Sequence, residues 1–473
     1  MVDNFLIYDL VFLVLFIIFV ILFLYRGKNN IKREGLLILY RASWGMKLID
    51  RIGGKYKKTL TVLGVVSVIC GYILMLFGFY LVWTILKIYI FHPEIVRLIK
   101  VPPITPLIPY LPKIFKIDFL PPLYVTYWIA ILAVAAIPHE FFHGIFMKRY
   151  GIKIKSTGFG FFPYFLPVFP AAFVEQDEQS MAHSSNYSQL VVLSAGTFAN
   201  MLTLILFYFV MVIFFITSFT ASGVVFDDYT YSAVPIASIS MINGLVLTNP
   251  TYESINELKI ESIYNNITVN GKNYIGVKGY VDESNILLYE ESPAINSKLY
   301  GGILEIDGNK VTSFESYKEV INKYSPGDTI SVITINDKKE ETEHIIELGN
   351  DPNNDGKAWL GIEFYEVKGR NIFGTVTLML SSFKKPHVLY MPKIDGFTIF
   401  IYNLILWILL ASFGVAVVNM LPVGIFDGGR FFYITILVLT GKEKLARNLF
   451  SFMTYFFLFI LFALMVLWAK SFF

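Results

Sequence analysis

Six stretches of the chain, at about residues 6–25, 60–88, 122–147, 189–219, 396–420 and 448–469, are each apolar over roughly the twenty residues needed to cross a bilayer. Hydrocarbon offers a backbone no water, so each run must close its own hydrogen bonds as a helix. That constraint makes the expected fold class a polytopic α-helical membrane protein with about six transmembrane helices. Composition agrees, with 55% hydrophobic and only 16% charged residues, where a soluble domain carries about 25% charged. A net charge of +3 is too small to suggest a nucleic-acid partner. The single cysteine, Cys70, lies inside an apolar run, which leaves no disulfide framework and no cysteine metal cluster. The first run has neither the basic leader nor the small-residue cleavage site expected of a removed signal peptide.

Charge between the runs orients them. Ten basic residues fall between Arg26 and Lys58, which expects that loop in the cytoplasm. The N-terminus, the loop after the second run and the long segment 221–394 then fall outside. Lys148, Arg149, Lys153 and Lys155 fall inside, as do Lys442, Lys444 and Arg447. An integral protein of the plasma membrane is expected, organised as residues 1–91 (two helices and the basic loop), 92–121, 122–220, 221–366, a connector 367–395, and 396–473. Eight of the chain's 20 prolines lie between Pro93 and Pro122. At that density no regular helix is expected over 92–121, but a stiff external loop.

Residues 221–366 change character, with acidic residues, Asn-Gly and Pro-Gly turns and short β-rich runs such as "GGILEIDG" and "DTISVITI". An extracytoplasmic α+β domain inserted between the fourth and fifth runs is expected. Its order is a small-residue turn, a strand, an Asp-Gly turn, a helix over about 313–323, a Pro-Gly turn and a further strand. This resembles a PDZ domain, whose groove accepts an extended peptide or chain end. The stretch "ELKIESIYNNITVNGKNYIG" echoes "GGILEIDGNKV", which allows a second unit of the same kind.

The third run contains "HEFFH", which places His139, Glu140 and His143 on a helix that should lie in lipid. His139 and His143 are four residues apart, so they share one helix face and both imidazoles can reach one metal ion. Glu140 is offset by about 100°, too far to join the ligand set and well placed to act as a base toward a water. H-E-x-x-H is the zinc-peptidase pattern. With six histidines in the chain, chance would produce it in roughly a few such chains per thousand. Ionisable groups at this depth cost about 2.5–3.5 kcal/mol to insert, so they are normally functional. A catalytic zinc usually has three protein ligands. The candidate for the third is Asp427 in "VVNMLPVGIFDGGRFF", where Pro422, Gly424, Gly428 and Gly429 break the fifth run. A capping or solvated turn aspartate is the plain alternative. Zn²⁺ with the Asp427 and Glu140 carboxylates sums to zero charge, which a low-dielectric site tolerates best.

On "HEFFH" (139–143), "SAGTFANMLT" (194–203) and "NMLPVGIFDGG" (419–429), together with "PPITPLIPYLP" and "GFGFFPYFLPVFPAAFVE" (158–175), the chain resembles the site-2 proteases. These are the intramembrane zinc metalloproteases of peptidase family M50, and the last two stretches are most similar to the archaeal and eukaryotic-type members. Gly424, Phe426 and Thr197 stand where the family often has Pro, Leu and Pro, and all the polar residues are in place. The resemblance implies one zinc on His139, His143 and Asp427, with Glu140 as general base. Asn200 and Asn419 would hold the substrate backbone or polarise the scissile carbonyl, the plain alternative for each being a helix–helix hydrogen bond. The Gly-, Pro- and aromatic-rich stretch after the third run would form strands lining the site, whose edge could receive an unwound substrate, the plain alternative being an interfacial loop anchored by its Phe and Tyr residues. Substrates would be transmembrane segments of other membrane proteins. A divalent-metal transporter and an idle PDZ scaffold are the rivals. The first lacks a His/Asp path through the external half, and the second has no use for Glu140. His183 reads as a solvated loop residue, and His92, His344 and His387 have no expected role.

Overall fold

The computed structural model describes residues 2–34, 37–42, 45–99, 102–103, 107–115, 117, 120–161, 171–258, 264–282, 284–336, 338–366 and 372–470. Contacts divide the chain into two units, Met1–Phe214 with Ile399–Phe473, and Phe215–Thr398.

The first unit opens with α1 (Val2–Arg26), then β1 (Ile31–Glu34), β2 (Leu37–Ala42), α2 (Met46–Lys55) and α3 (Lys57–Phe91). The basic stretch is therefore built, not a plain loop. In α2, Lys47, Arg51 and Lys55 recur every four residues on the exposed side, while Ile49 and Gly53 are buried. Next come α4 (Pro93–Ile99) and α5 (Leu111–Ile114). These two short helices correct the expectation of a wholly irregular proline-rich loop. Pro93 opens α4 and Pro112 sits in the first turn of α5, positions where a missing N–H costs nothing. Part of the stretch, including 104–106 and 118–119, lies outside the described residues.

The chain continues through α6 (Val125–Tyr150), β3 (Ile154–Phe161), β4 (Ala171–Gln176), α7 (Glu178–Ala182) and α8 (Asn186–Ser218). Strands β1, β2, β3 and β4 form one antiparallel sheet in that order. Its register runs Ile38↔Phe161 to Ala42↔Thr157 between β2 and β3, and Thr157↔Val174 between β3 and β4. Residues 162–170, from the middle of the aromatic stretch, lie outside the described residues.

The second unit comprises β5 (Phe219–Val224), β6 (Asp228–Tyr229), β7 (Tyr231–Pro235), β8 (Ile239–Ile242), β9 (Leu245–Val246), α9 (Tyr252–Glu257), β10 (Asn266–Val269), β11 (Lys272–Tyr280), β12 (Asn285–Glu290), α10 (Pro293–Asn296), β13 (Gly302–Ile306), β14 (Asn309–Lys310), α11 (Phe314–Ile321), β15 (Thr329–Ile335), β16 (Glu341–Glu347), β17 (Gly349–Asp351), β18 (Asn354–Trp359), β19 (Ile362–Glu363), α12 (Ile372–Leu380) and β20 (Val388–Pro392). Among its described residues it holds two hydrophobic cores. One, around Leu299, Ile303, Ile306 and Val332, lies under the sheet β16-β15-β13-β5-β20 and α11. The other, around Ile236, Ile267, Ile286 and Leu288, belongs to the sheet β7-β12-β11-β10-β8-β9. The repeated sequence motif corresponds to two tight hairpins. Asn270-Gly271 and Asp307-Gly308 both take positive φ, at 49° and 82° and at 43° and 76°, as a two-residue hairpin turn with both central residues left-handed requires. The chain enters and leaves this unit through paired strands: β5 and β20 run antiparallel, from Val388↔Val224 to Pro392↔Phe219.

Helices α13 (Phe397–Asn419), α14 (Asp427–Thr440) and α15 (Glu443–Lys470) complete the chain. Helices α1, α3, α6, α8, α13 and α15 are long and apolar enough to cross a membrane, in agreement with the six apolar runs. The chain is an integral membrane protein. Its membrane core collects Phe146 and Met147 of α6, Val191–Leu193 of α8, Val417 of α13 and Phe431 of α14 around Leu74 and Met75 of α3. Helix α3 comes close because it presents a glycine every seven residues. A Cβ at Gly64, Gly71 or Gly78 would meet Tyr150, Ser194 with Met420, or Leu421 at 2.9–3.1 Å.

One ionisable residue in the first apolar run has a structural task. Asp9 is 1% exposed. Its carboxylate accepts the backbone N–H groups of Val125 (2.8 Å) and Thr126 (2.9 Å), the Thr126 hydroxyl (2.6 Å), and the Tyr110 hydroxyl. These amides open α6, whose own preceding residue, Tyr124, supplies no side-chain cap. The negative group also complements the positive end of the helix. Asp9→Ala is expected to lower stability by about 1–2 kcal/mol, the range for a lost cap with a buried donor, and Asp9→Asn by less. Thermal unfolding in detergent measures it; an unchanged midpoint in the alanine variant would remove Asp9 as the anchor of α6.

Candidate metal centre

The local sequence explains how α6 and α14 meet. Pro422 cannot continue α13, and the chain turns through Leu421, Val423 and Phe426 before α14 begins. The turn is tight because two glycines lie against its backbone. A Cβ at Gly428 would sit 2.3 Å from the Met420 carbonyl carbon, and one at Gly429 would sit 2.4 Å from the Val423 oxygen. Asp427 is the first residue of α14, where a carboxylate is favoured by the helix dipole.

This loop brings Asp427 to the two histidines. His139 Nε2 lies 3.2 Å from His143 Nε2, and Asp427 Oδ2 lies 3.4 Å from the first and 3.3 Å from the second. Three donor atoms thus form a nearly equilateral triangle, and this group could hold a metal ion. A tetrahedral zinc with bonds of about 2.0–2.1 Å sets its ligand atoms about 3.3–3.4 Å apart, so the donor set fits that ion. The rings are buried, with side chains 8% and 9% exposed, and Asp427 is 28% exposed. Their far nitrogens are engaged by α8: His143 Nδ1 is 2.6 Å from the Val192 carbonyl, and His139 Nδ1 is 3.1 Å from the Asn200 amide.

Gly196, between those two α8 residues, escaped the reading of the sequence. A Cβ there would lie 2.4 Å from both His139 Nε2 and His143 Nε2. The absence of a side chain keeps open the space into which the ligand atoms point. The signal was present in "VVLSAGTFAN", where Val192, Gly196 and Asn200 fall four residues apart on one helix face.

Glu140 is half-buried and accepts the Val174 N–H of β4 at 3.0 Å. Strand β4 is the edge of its sheet, so the carboxylate stands against a strand edge. That sheet is tied inward by Glu175, which accepts from Arg41 of β2 (3.0 Å) and Ser156 of β3 (2.7 Å). Just beyond β4, Glu178 pairs with Arg430 of α14 at 2.9 Å. The guanidinium holds the Glu178 carboxyl below its ordinary range, so the link is present at neutral pH and lost as pH falls through that lowered value. Asn419 ends α13, half-buried, with no side-chain hydrogen bond among the described residues. Asn200 is fully buried. His183 is exposed at the end of α7 and bonded to the Gln179 carbonyl. His92 pairs with Glu94, His344 with Thr334, and His387 with Asp227; none joins the cluster.

Residues 127–464 match peptidase family M50, the site-2 protease family. The chain belongs to peptidase family M50. The match spans both halves of the metal centre. Members of M50 are metalloproteases that use zinc, so membership supports an intramembrane metalloprotease. An uncharacterized protein of Methanocaldococcus jannaschii is similar as well, 27% identical over 366 residues, covering 77% of this chain and 75% of that protein.

Gly196→Ala provides a direct check of the centre. Its added methyl would occupy the space between the two imidazoles, and bound zinc should fall at least about tenfold, the scale of a displaced ligand geometry, with little change in helix content. Metal analysis of the purified variant measures this. Full zinc occupancy would show that the ion sits elsewhere.

Proposed function

We propose that the chain is a zinc-dependent endopeptidase that hydrolyses peptide bonds within or near transmembrane segments of other membrane proteins. The observation that carries this reading is the His139–His143–Asp427 triangle with sides of 3.2–3.4 Å, inside a helix bundle and beside Glu140. Bound there, zinc would supply Lewis acidity and lower the pKa of a water toward about 7. The rest is done by the chain. One Glu140 oxygen is held by the Val174 amide, which leaves the other free to take a proton from water and pass it to the leaving amine. The β4 edge offers backbone groups to an unwound substrate, whose freed amides find no partner in lipid. Asn419, with donor and acceptor both unused among the described residues, is suited to hold a substrate carbonyl or amide.

Topology follows from charge. The basic residues of 26–58 and 148–155 put the α2 side of the bundle in the cytoplasm, with the N-terminus and the 221–366 domain outside a plasma membrane. The metal centre is then near the cytoplasmic face, since Lys148 follows His143 by five residues, about 7–8 Å along a helix. The external domain, read as PDZ-like from the order β13–β14–α11–β15, gates access by excluding substrates that still carry bulky external parts. Support comes from its tethers: β5 continues directly from α8, which carries Asn200, and β20 leads to α13, which ends beside the Asp427 loop.

Two experiments test this. Glu140→Gln keeps size and one hydrogen bond but removes the base. It should retain zinc and lose cleavage of a transmembrane substrate by about 10²–10⁴-fold; cleavage at the parent rate would refute the base. For the gate, Val224 and Val388 are register partners, so an Asn-Gly turn can join them and replace 225–387 while keeping the β5–β20 pair. The shortened enzyme should cut substrates with large external domains that the full chain spares. Slower cutting of all substrates, with no relaxed selectivity, would mean the domain recruits rather than gates.

A further inference from the structure

Helix α8 supplies no ligand to the metal centre, yet it touches both histidines. Val192, Gly196 and Asn200 are spaced i, i+4 and i+8 on one face. The Val192 carbonyl lies against His143 Nδ1, Gly196 leaves room for the ligand atoms, and the Asn200 amide lies against His139 Nδ1. A neutral imidazole that binds metal through Nε2 must carry its proton on Nδ1, and that proton needs an acceptor. For His143 the requirement is met, because a carbonyl can only accept. For His139 the nearby group is an amide with two ends. Its nitrogen would donate to Nδ1 and force the proton onto Nε2, where it would point into the ligand triangle. Its oxygen would accept the Nδ1 proton and leave Nε2 free. The oxygen of Asn200 is buried and, among the described residues, finds no donor where it now lies. A half-turn of the amide places that oxygen on His139 Nδ1, where it gains the donor it lacks. Amide ends are set by such networks.

We infer that Asn200 is a positioning residue that accepts the His139 Nδ1 proton, fixing the tautomer and ring plane that ligate zinc, and that α8 is the helix that orients both imidazoles. This rests on the zinc reading of the same site and changes the task expected of Asn200. With a relative exposure of 0%, it serves the ligand in place of the substrate. A group acting through His139 should alter metal affinity, whereas a group that only contacts substrate should not.

The test is the zinc affinity of the full-length protein in detergent, by competition with a chromophoric chelator, independent of any proteolysis. Asn200→Ala should bind zinc about 10–100-fold more weakly, as for other lost partners of ligand histidines. Asn200→Asp keeps an acceptor and should bind at least as tightly as the parent. Equal affinity in the alanine variant, or equal loss in both, would overturn the inference. Nitrogen-15 NMR of the zinc-loaded parent needs no variant to fold. It should show the His139 proton on Nδ1, and a proton on Nε2 would overturn the inference. If the parent binds no zinc, the inference and the zinc reading both fall. If the parent binds zinc and the alanine variant binds it equally, only the role of Asn200 falls.

Discussion

Two imidazoles and a carboxylate meeting within 3.4 Å inside a helix bundle are the constraint on which the rest of the membrane unit depends. Burying such groups is costly unless charge is shared and every remaining proton and lone pair has a partner. The surrounding structure supplies partners from segments outside α6 and α14. Val192 and Asn200 of α8 receive the outer faces of the rings, and Val174 of β4 receives Glu140. Close approach is secured by residues without side chains: Gly196 of α8 before the ligand atoms, Gly71 of α3 behind Ser194, and Gly428 and Gly429 in the turn that carries Asp427. At the other end of α6, Asp9 binds the first amides of the helix. The helix bearing the histidines is thus held at its start by α1 and at its two imidazoles by α8.

The same arrangement joins the H-E-x-x-H helix to a strand edge. Glu140 belongs at once to the H-E-x-x-H motif and to the edge of a four-stranded sheet. A carboxylate that touches a strand edge lies where an added strand would bring its own backbone. The Arg430–Glu178 pair ties the helix that starts with Asp427 to the segment just after β4. Exposed as it is, it contributes at most about 1 kcal/mol, and its effect is to set spacing.

What the sequence made legible was whatever a single segment determines. Six apolar runs become helices because lipid permits nothing else, and His139 and His143 share a face because a helix has 3.6 residues per turn. Asp427 could be picked out because proline and glycines mark a break around one carboxylate. What stayed hidden depends on distant partners. Strands β1 and β2 lie in a stretch whose lysines and arginines speak of sidedness; β2 becomes a strand by pairing with β3 more than a hundred residues on, and β1 pairs with β2. Asp9 stands alone in an apolar run, and its partners begin at Tyr110. Gly196 carries no chemistry, and its value appears only when the histidines of another helix face it. The prolines of 92–121 suggested an irregular loop, yet two of them sit in the first turns of short helices, because a proline disrupts the interior of a helix and not its first turn.

The central claim is that His139, His143 and Asp427 hold one zinc ion. X-ray absorption at the zinc edge of the purified full-length protein tests it most directly. The account predicts one zinc per chain with two imidazole nitrogens and oxygen ligands, all at about 2.0–2.2 Å, in four-fold coordination. A shell of six oxygens, or no zinc retained at all, would contradict it.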